Sequence, residues 1–199
     1  YASPENQPTY LHAHKLMRKV WGGMPTAADI YSDRWNQIAD HCNSNFFHID
    51  MERYTLEAVL KKGAELVKRK GIKCLVIDPF NKVRSNDASG DVNVYTLEYL
   101  QQIEIFAKKY DVLVIVVAHP TKMYKDAQGK IEEPTMYNIK GGGEWYDASY
   151  HGLLIHRDYE NKTVKCKVLK VKFQNLGENG AEAHFQWQPD SGDYKPIEN

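Results

Sequence analysis

The chain has 199 residues, about the length of one domain, and its 26 lysines and arginines balance its 26 aspartates and glutamates. A hydrophobic fraction of 42% supplies one core and excludes a disordered chain. The zero net charge excludes a uniformly basic nucleic-acid coat protein but not a local basic site. The sequence has no apolar run of about 18 residues, no secretory signal pattern and only three scattered cysteines. We therefore expect an unsecreted protein without a membrane partner.

The N-terminal part of the chain is predicted to be helical. Apolar residues recur at helical spacing over residues 11–21, and a Gly-Gly pair ends this run. Thr26, with Asp29 three residues later, is predicted to cap a second helix that ends near His41. Two further elements are predicted, a short strand at residues 46–49 and an amphipathic helix at residues 55–70.

Two apolar runs with a helix between them predict a parallel β-α-β unit. Residues 74–78 end in Asp78, residues 112–118 end just before His119, and helical periodicity covers residues 94–110. Continuous apolar runs are typical of parallel strands that are buried on both faces. Because the crossover brings both carboxyl ends to one sheet edge, Asp78 and His119 are predicted to lie at the edge where ligands bind.

The C-terminal part of the chain has a different pattern. Residues 121–143 are polar and Gly-rich, which predicts a loop. Strand-like segments follow at residues 151–156, 163–173 and 183–187. We therefore predict an α/β fold in one domain over residues 1–199, with a mostly parallel sheet flanked by helices and extra antiparallel strands at the C-terminal end.

Asp78 and His119 suit phosphate chemistry. A carboxylate at the end of an apolar strand can hold Mg²⁺ through water beside a phosphate, and a histidine can donate a hydrogen bond to a phosphate oxygen. Each residue alone also fits a simple turn cap or strand end. Their shared position favours a site.

Five sequence blocks occur in a fixed order along nearly the whole chain. They are Ser-Pro-Glu-Asn at residues 3–6, a strand ending in Asp-Pro-Phe at 74–80, Val-Val-Ala-His-Pro-Thr-Lys at 116–122, Ile-Lys-Gly-Gly-Gly-Glu-Trp at 139–145 and Val-Leu-Lys-Val-Lys-Phe at 168–173. Together they resemble the motifs of DnaB-family ring helicases of the Twinkle and bacteriophage primase–helicase type. The resemblance implies a RecA-like ATPase core, assembled as a hexameric ring around single-stranded DNA, with ATP and Mg²⁺ between subunits.

The resemblance also implies roles for individual residues. Glu5 corresponds to the general base that polarises the attacking water, Asp78 to the residue that holds Mg²⁺ through water, and His119 to the sensor of the γ-phosphate. The family's arginine finger falls on Lys172, so either Lys172 acts as a weaker finger or Arg157 supplies this charge. Lys170 lies two residues before Lys172, and we expect it on the same side of its strand, among the nucleotide-binding residues.

The phosphate-binding motif GxxxxGK[ST] does not occur in the sequence. In the family it lies upstream of the block at residues 3–6. We therefore expect a RecA-like helicase ATPase domain that is truncated at its N-terminus, lacks its first strand and phosphate-binding loop, and hydrolyses no ATP alone.

The loops after Asp78 and His119 are the candidate DNA-binding segments, although a solvated surface loop remains the alternative. The candidate residues are Arg84 in the first loop and Lys122, Lys125, Lys130 and Lys140 in the second. A lysine-rich stretch at residues 162–172 precedes an acidic stretch from residue 178, which suggests complementary subunit faces.

The resemblance further implies a primase domain or primase partner, and residence in a bacterial or phage-infected cytoplasm or an organellar matrix. Two other functions stay open. One is a RecA-like ATPase for recombination or plasmid replication. The other is a degenerate domain that binds nucleic acid or a protein partner without hydrolysing ATP.

Overall fold

The structure is a computed structural model and describes residues 1–6, 9–83, 91–123, 132–189 and 191–197. Within these ranges the α-helices are α1 (Thr9–Trp21), α2 (Asp33–Asn45), α3 (Leu56–Lys70), α4 (Val92–Tyr110) and α5 (Gly142–Ala148). The strands are β1 (Cys74–Ile77), β2 (Leu113–Val116), β3 (His151–Asp158), β4 (Thr163–Val171), β5 (Glu182–Gln188) and β6 (Asp193–Pro196). No helix in the described ranges is both long and apolar enough to cross a membrane.

The parallel sheet is built around the first residues of the chain. β1 and β2 pair in parallel, with Ile77 opposite Val116, as the β-α-β pattern predicts. On the other side of β1, the Ala2 N–H donates to the Val76 carbonyl at 2.8 Å and the Ala2 carbonyl accepts from the Asp78 N–H at 2.9 Å. Ala2 also bridges Ile49 in parallel, so the predicted strand at residues 46–49 is reduced to this single bridge.

The core lies between the parallel sheet and the helices that flank it. Leu56 and Val59 of α3, Leu75 and Ile77 of β1, and Tyr99 of α4 are fully buried in one cluster. Burying an aliphatic side chain of this size stabilises a fold by about 1.5–3 kcal/mol. The apolar periodicity of residues 55–70 and 94–110 therefore correctly predicts the two helices whose apolar faces form this core.

Helix α2 begins later than predicted. Thr26 and Asp29 do bond reciprocally, with the Thr26 N–H donating to the Asp29 carboxylate at 2.8 Å and the Asp29 N–H to the Thr26 hydroxyl. This pair closes the turn before a 3₁₀ segment, Asp29–Tyr31, and Ser32 caps α2 by accepting from the Trp35 N–H. The capping pattern is present, but it belongs to the preceding turn.

The C-terminal strands form an antiparallel sheet in the order β3-β4-β5-β6. The α/β fold class with added antiparallel strands is confirmed, and hydrogen bonding groups these strands in a sheet of their own. Two elements have no counterpart among the predicted ones. Helix α5 has only seven residues, and β6 is a short polar strand, so neither carries a hydrophobic period long enough to detect.

Gly141 supports a test of how tightly α5 packs on α4. Its φ is +91°, and a Cβ there would overlap the hydroxyl oxygen of buried Thr96 and lie 2.8 Å from its Cβ. We expect Gly141→Ala to lower the free energy of unfolding by about 2–4 kcal/mol, because it adds both backbone strain and a clash. Urea unfolding measures this change.

Gly143→Ala is the matched control, since a Cβ at Gly143 meets no atom within 4 Å and the residue lies inside α5. It should leave stability unchanged or raise it by up to about 1 kcal/mol. Equal effects of the two substitutions would contradict the close approach of Gly141 to Thr96.

Candidate functional site

Asp78 lies at the carboxyl end of β1 and is held by the N-terminal segment. Its Oδ2 accepts hydrogen bonds from the Tyr1 hydroxyl at 2.5 Å and from the Asn6 amide at 3.0 Å. The Asn6 amide also contacts the Ser3 hydroxyl at 3.2 Å. Because Ala2 pairs with β1, residues 1–6 reach the same sheet edge as Asp78. The blocks at residues 3–6 and 74–80, which are far apart in sequence, are therefore brought together.

The polar contacts orient the Asp78 carboxylate. Burial and the hydrogen bond to Asp78 raise the pKa of the Tyr1 hydroxyl to about 12, so this group stays protonated and donates at neutral pH. Among the described residues, Oδ1 of Asp78 accepts no hydrogen bond. Oδ2 is thus held in place, and Oδ1 has no protein partner among the residues that the structure describes.

This arrangement fits Mg²⁺ held through water. Mg²⁺ keeps several waters and uses one or two carboxylates together with substrate phosphates. The described ranges contain no group of three or more His, Cys, Asp or Glu residues that could cage a metal directly. A carboxylate oxygen that has no protein partner among the described residues, at the carboxyl end of a parallel strand, is the donor that a hydrated ion beside a phosphate needs.

Glu5 lies in the turn between two anchored residues. The Asn6 N–H donates to the Ser3 hydroxyl at 3.1 Å, which fixes the backbone on both sides of Glu5. Ser3 is fully buried, whereas Glu5 is exposed and has no hydrogen-bond or ion-pair partner within the described part of the chain. Its carboxylate is available at the edge where Asp78 lies.

His119 follows β2 at the same edge as Asp78. The ladder continues beyond β2, since the Val117 N–H donates to the Ile77 carbonyl at 2.9 Å and the Val117 carbonyl accepts from the Phe80 N–H at 2.8 Å. His119 comes two residues after Val117 and is exposed. The predicted position of Asp78 and His119 at neighbouring strand ends agrees with this geometry.

A short antiparallel ribbon begins immediately after His119. Pro120 bridges Ile139, and the Thr121 N–H donates at 2.7 Å to the carbonyl of the residue before Ile139. Lys122 and Lys140 flank these pairs and are exposed. Two of the predicted DNA-binding lysines are thus at the base of the loop, beside His119. Three other predicted DNA-binding residues lie outside the described residues: Arg84, Lys125 and Lys130.

The C-terminal end of that loop is held by an ion-pair network. Glu133 contacts the Nζ atoms of both Lys165 and Lys167, the latter at 2.8 Å, and Lys167 also contacts Glu182 at 3.0 Å. Hydrogen bonds from the two lysines lower the pKa of Glu133 to about 2. Lys165 and Lys167 of the lysine-rich stretch therefore pair with acids of their own chain. For these two lysines, the pairing replaces the predicted contact with another subunit as the explanation of their charge. The i, i+2 spacing of the two lysines is the only sequence signal for this contact.

Lys170 is engaged at the end of α5. Its ammonium donates to the carbonyls of Tyr146 and Asp147 and lies 4.7 Å from the centre of the Tyr146 ring. Burial lowers the pKa of Lys170. A cation at the carboxyl end of a helix satisfies free carbonyls and the helix dipole. Lys170 therefore stabilises α5, and a nucleotide contact by this residue stays a prediction.

The two candidate finger residues lie at opposite ends of the β3–β4 pair. Lys172 directly follows Val171, which pairs with the first residue of β3, and its ammonium lies 4.1 Å from the centre of the Tyr150 ring. Arg157 is near the last residue of β3 and donates to the Tyr194 hydroxyl at 2.6 Å. Lys172 is opposite Tyr150, so seven residues separate the two positions, about 23 Å at about 3.3 Å per residue. Because of this separation, only one of the two residues can supply the charge of the arginine finger to a given nucleotide.

Comparisons with known proteins agree with the sequence blocks. No protein-family model matches the chain. Its sequence is 27% identical over 161 residues to "Twinkle homolog protein, chloroplastic/mitochondrial" of Arabidopsis thaliana, which covers 76% of this chain. The chain spans only 22% of that curated relative.

Solved structures agree over almost the entire chain. One, described as an ATPase domain, matches 99% of this chain and 73% of its own, with a TM-score of 0.70 and 14% identity. A second, described as a DnaB-like replicative helicase and its interactions with primase, gives the same TM-score of 0.70 at 11% identity. It matches 99% of this chain and 49% of its own. The fold is that of a DnaB-like helicase ATPase domain. The resemblance to DnaB and Twinkle-type helicases and the RecA-like fold are confirmed.

The pKa of Glu133 gives a pH-dependent test of the loop anchor. Its ordinary pKa of 4.5 applies in the unfolded chain, and about 2 applies in the folded one. The carboxylate therefore stabilises the fold fully above about pH 5, and this contribution is lost as the pH falls from 4.5 towards 2. We expect Glu133→Gln to cost about 1 kcal/mol at pH 7, because its partners are partly exposed.

Chemical denaturation across about pH 3–7 measures this difference between the wild type and the variant. The difference in the free energy of unfolding between the two proteins should decrease steadily below about pH 4.5. Glu132→Gln is the matched control at the adjacent, exposed position. A difference that stays constant with pH would contradict the ion pairs of Glu133.

Proposed function

We propose that the chain is part of an ATP-dependent replicative DNA helicase, which hydrolyses ATP with Mg²⁺ between the subunits of a hexameric ring and moves along single-stranded DNA. The supporting observation is the meeting of three elements at one sheet edge: Asp78 after β1, the hydrogen-bonded segment at residues 1–6, and His119 after β2. The two structural relatives, an ATPase domain and a replicative helicase, support the same function.

Each residue at this edge has a distinct task in the proposed reaction. Asp78 would hold a hydrated Mg²⁺ through its carboxylate, while Tyr1 and Asn6 fix the direction of that carboxylate. When bound there, the ion would neutralise charge on the phosphates. Glu5 accepts the proton of the attacking water, and His119 donates a hydrogen bond to the terminal phosphate. Phosphoryl transfer needs such positioned charges more than covalent chemistry.

A further strand completes the proposed nucleotide site. The 199 residues contain no GxxxxGK[ST] motif, so the phosphates lack a cradle of backbone amides. Among the described strands, β2 pairs with β1 alone, and its apolar residues Leu113 and Ile115 are 58% and 44% exposed. We propose that the open edge of β2 pairs with a strand that carries the phosphate-binding loop, which places the domain's first strand beside β2.

The proposal extends to partners and location. One structural relative is a replicative helicase described with its interactions with primase, so we propose a primase domain or partner for this chain as well. The plant relative is described as chloroplastic or mitochondrial, which supports an organellar matrix, with a bacterial or phage-infected cytoplasm as the other location.

Mg²⁺-dependent ATP hydrolysis tests the proposed site. We expect no turnover by the 199-residue chain alone, and turnover when it is extended upstream in its reading frame to include the phosphate-binding loop. In the extended protein, Asp78→Asn should reduce turnover by about 10–100-fold, because the residue orients the waters of the ion. Asp111→Asn is the matched control, since Asp111 lies at the opposite, amino end of β2.

Two outcomes would contradict the proposal. Turnover by the 199-residue chain that Asp78→Ala abolishes would show that no further strand is needed. Wild-type turnover by Asp78→Asn in the extended protein would remove the role of Asp78.

The finger assignment is tested in the same extended protein. We expect Lys172→Ala to lower kcat by about 10-fold or more, because it removes a charge from the transition state. Its affinity for single-stranded DNA with a non-hydrolysable ATP analogue should not change. Arg157→Ala should leave kcat unchanged, since Arg157 lies at the other end of β3. The reverse result would assign the finger to Arg157.

A further inference from the structure

Two tyrosines form an exposed stack beside the ribbon that follows His119. The ring centres of Tyr137 and Tyr146 are 5.2 Å apart, and the ring planes are inclined by 20°. Tyr146 is partly buried, and Lys170 also contacts its ring. Tyr137 is 59% exposed, so much of the ring that Tyr146 does not cover faces solvent. We call this pair the tyrosine platform.

The backbone under the platform is fixed on both sides. Tyr137 lies in the 3₁₀ turn Met136–Asn138, where the Thr135 N–H donates to the Asn138 side chain at 2.7 Å and Met136 is buried. Tyr146 lies in α5 next to buried Trp145, which donates its indole N–H to the Lys140 carbonyl at 3.0 Å. A ring that is held in this way loses little conformational freedom when it binds a ligand.

The charges around the platform favour an anionic ligand. In the ribbon, Thr121 bonds to Asn138, and the next residues along the two segments are Lys122 and Tyr137. Within the described ranges, neither Lys122 nor Lys140 has an ion-pair partner, and both are exposed. Of the two acids at the start of this segment, Glu133 is paired with Lys165 and Lys167, whereas Glu132 is exposed.

We propose that Tyr137 stacks on a base of single-stranded DNA while Lys122 and Lys140 contact the adjacent phosphates. This rests on the proposed function, movement along single-stranded DNA, and on the prediction from sequence that the segment after His119 binds DNA. It adds a contact to the bases themselves. A flat aromatic ring beside basic groups is a general way to bind unpaired bases without sequence preference. In a duplex the same ring face of a base is covered by its neighbours, so the platform favours single strands.

Removal of the bases separates stacking from phosphate binding. The 199-residue chain is titrated at low salt with a labelled oligodeoxythymidine and with an abasic strand of the same length and charge. We expect Tyr137→Ala to weaken binding of oligodeoxythymidine by about 10-fold. On the abasic strand the same substitution should have almost no effect. Tyr137→Phe should bind as the wild type does, since stacking does not need the hydroxyl.

Two variants serve as controls. Tyr31→Ala removes a tyrosine that is 85% exposed and also lies in a 3₁₀ segment, and it should change neither affinity. Lys122→Ala should weaken binding of both strands by the same factor and reduce the slope of log affinity against log salt by about 0.7. Thermal unfolding of each variant checks that the fold is retained.

The outcomes distinguish the two proposals. Base stacking would be overturned if Tyr137→Ala weakened the binding of both strands equally. It would also be overturned if Tyr137→Ala weakened neither while Lys122→Ala still weakened binding. Either result would leave DNA binding by the ribbon intact. No wild-type binding to either strand would overturn both base stacking and the proposed DNA-facing role of the ribbon.

Discussion

The pairing of Ala2 with β1 is the contact on which the candidate site depends. Two backbone hydrogen bonds, to Val76 and from Asp78, insert the first residues of the chain between β1 and Ile49. A parallel pairing runs both segments in one direction, so the residues that follow Ala2 arrive at the carboxyl end of β1. The contacts of Asn6 with Asp78 and the position of Glu5 are consequences of this register. A shift by one residue would turn these side chains to the other face of the sheet.

Strand β4 links the antiparallel sheet to the loops at this edge. Its lysines have separate tasks: Lys165 and Lys167 hold Glu133 at the end of the loop, and Lys170 binds the last carbonyls of α5. Lys172, just after the strand, lies over the ring of a tyrosine that precedes β3. Movement of β4 would therefore act on the loop end, on α5 and on the candidate finger together. In the proposed helicase, this connection would link the nucleotide-binding edge to the segment that binds DNA.

The features that could be predicted from sequence are those with a continuous local signal. The apolar runs of β1 and β2 identify the parallel strands, and strand polarity alone puts Asp78 and His119 at one edge. The Glu133 anchor and the tyrosine platform could not be predicted in this way. Glu133 meets Lys165, 32 residues away, and Tyr137 meets Tyr146 through the turn and helix between them. Such contacts depend on how separate segments pack against each other, and the local pattern of a short stretch of sequence does not show this.

Among the described strands, none covers the second edge of β2, and this is the edge at which the proposed additional strand would join the sheet. Edge strands usually carry charged residues, proline or a covering segment, because unpaired backbone groups with apolar side chains promote association. β2 instead carries Leu113 and Ile115, which are exposed, and β3, an end strand of the other sheet, exposes Leu153 and Ile155. Both end strands thus carry the apolar side chains that are typical of strands in the interior of a sheet. The proposed additional strand would cover these residues and bring its phosphate-binding loop to the edge that Asp78 and His119 already share. The same pairing would thus complete both the sheet and the nucleotide site.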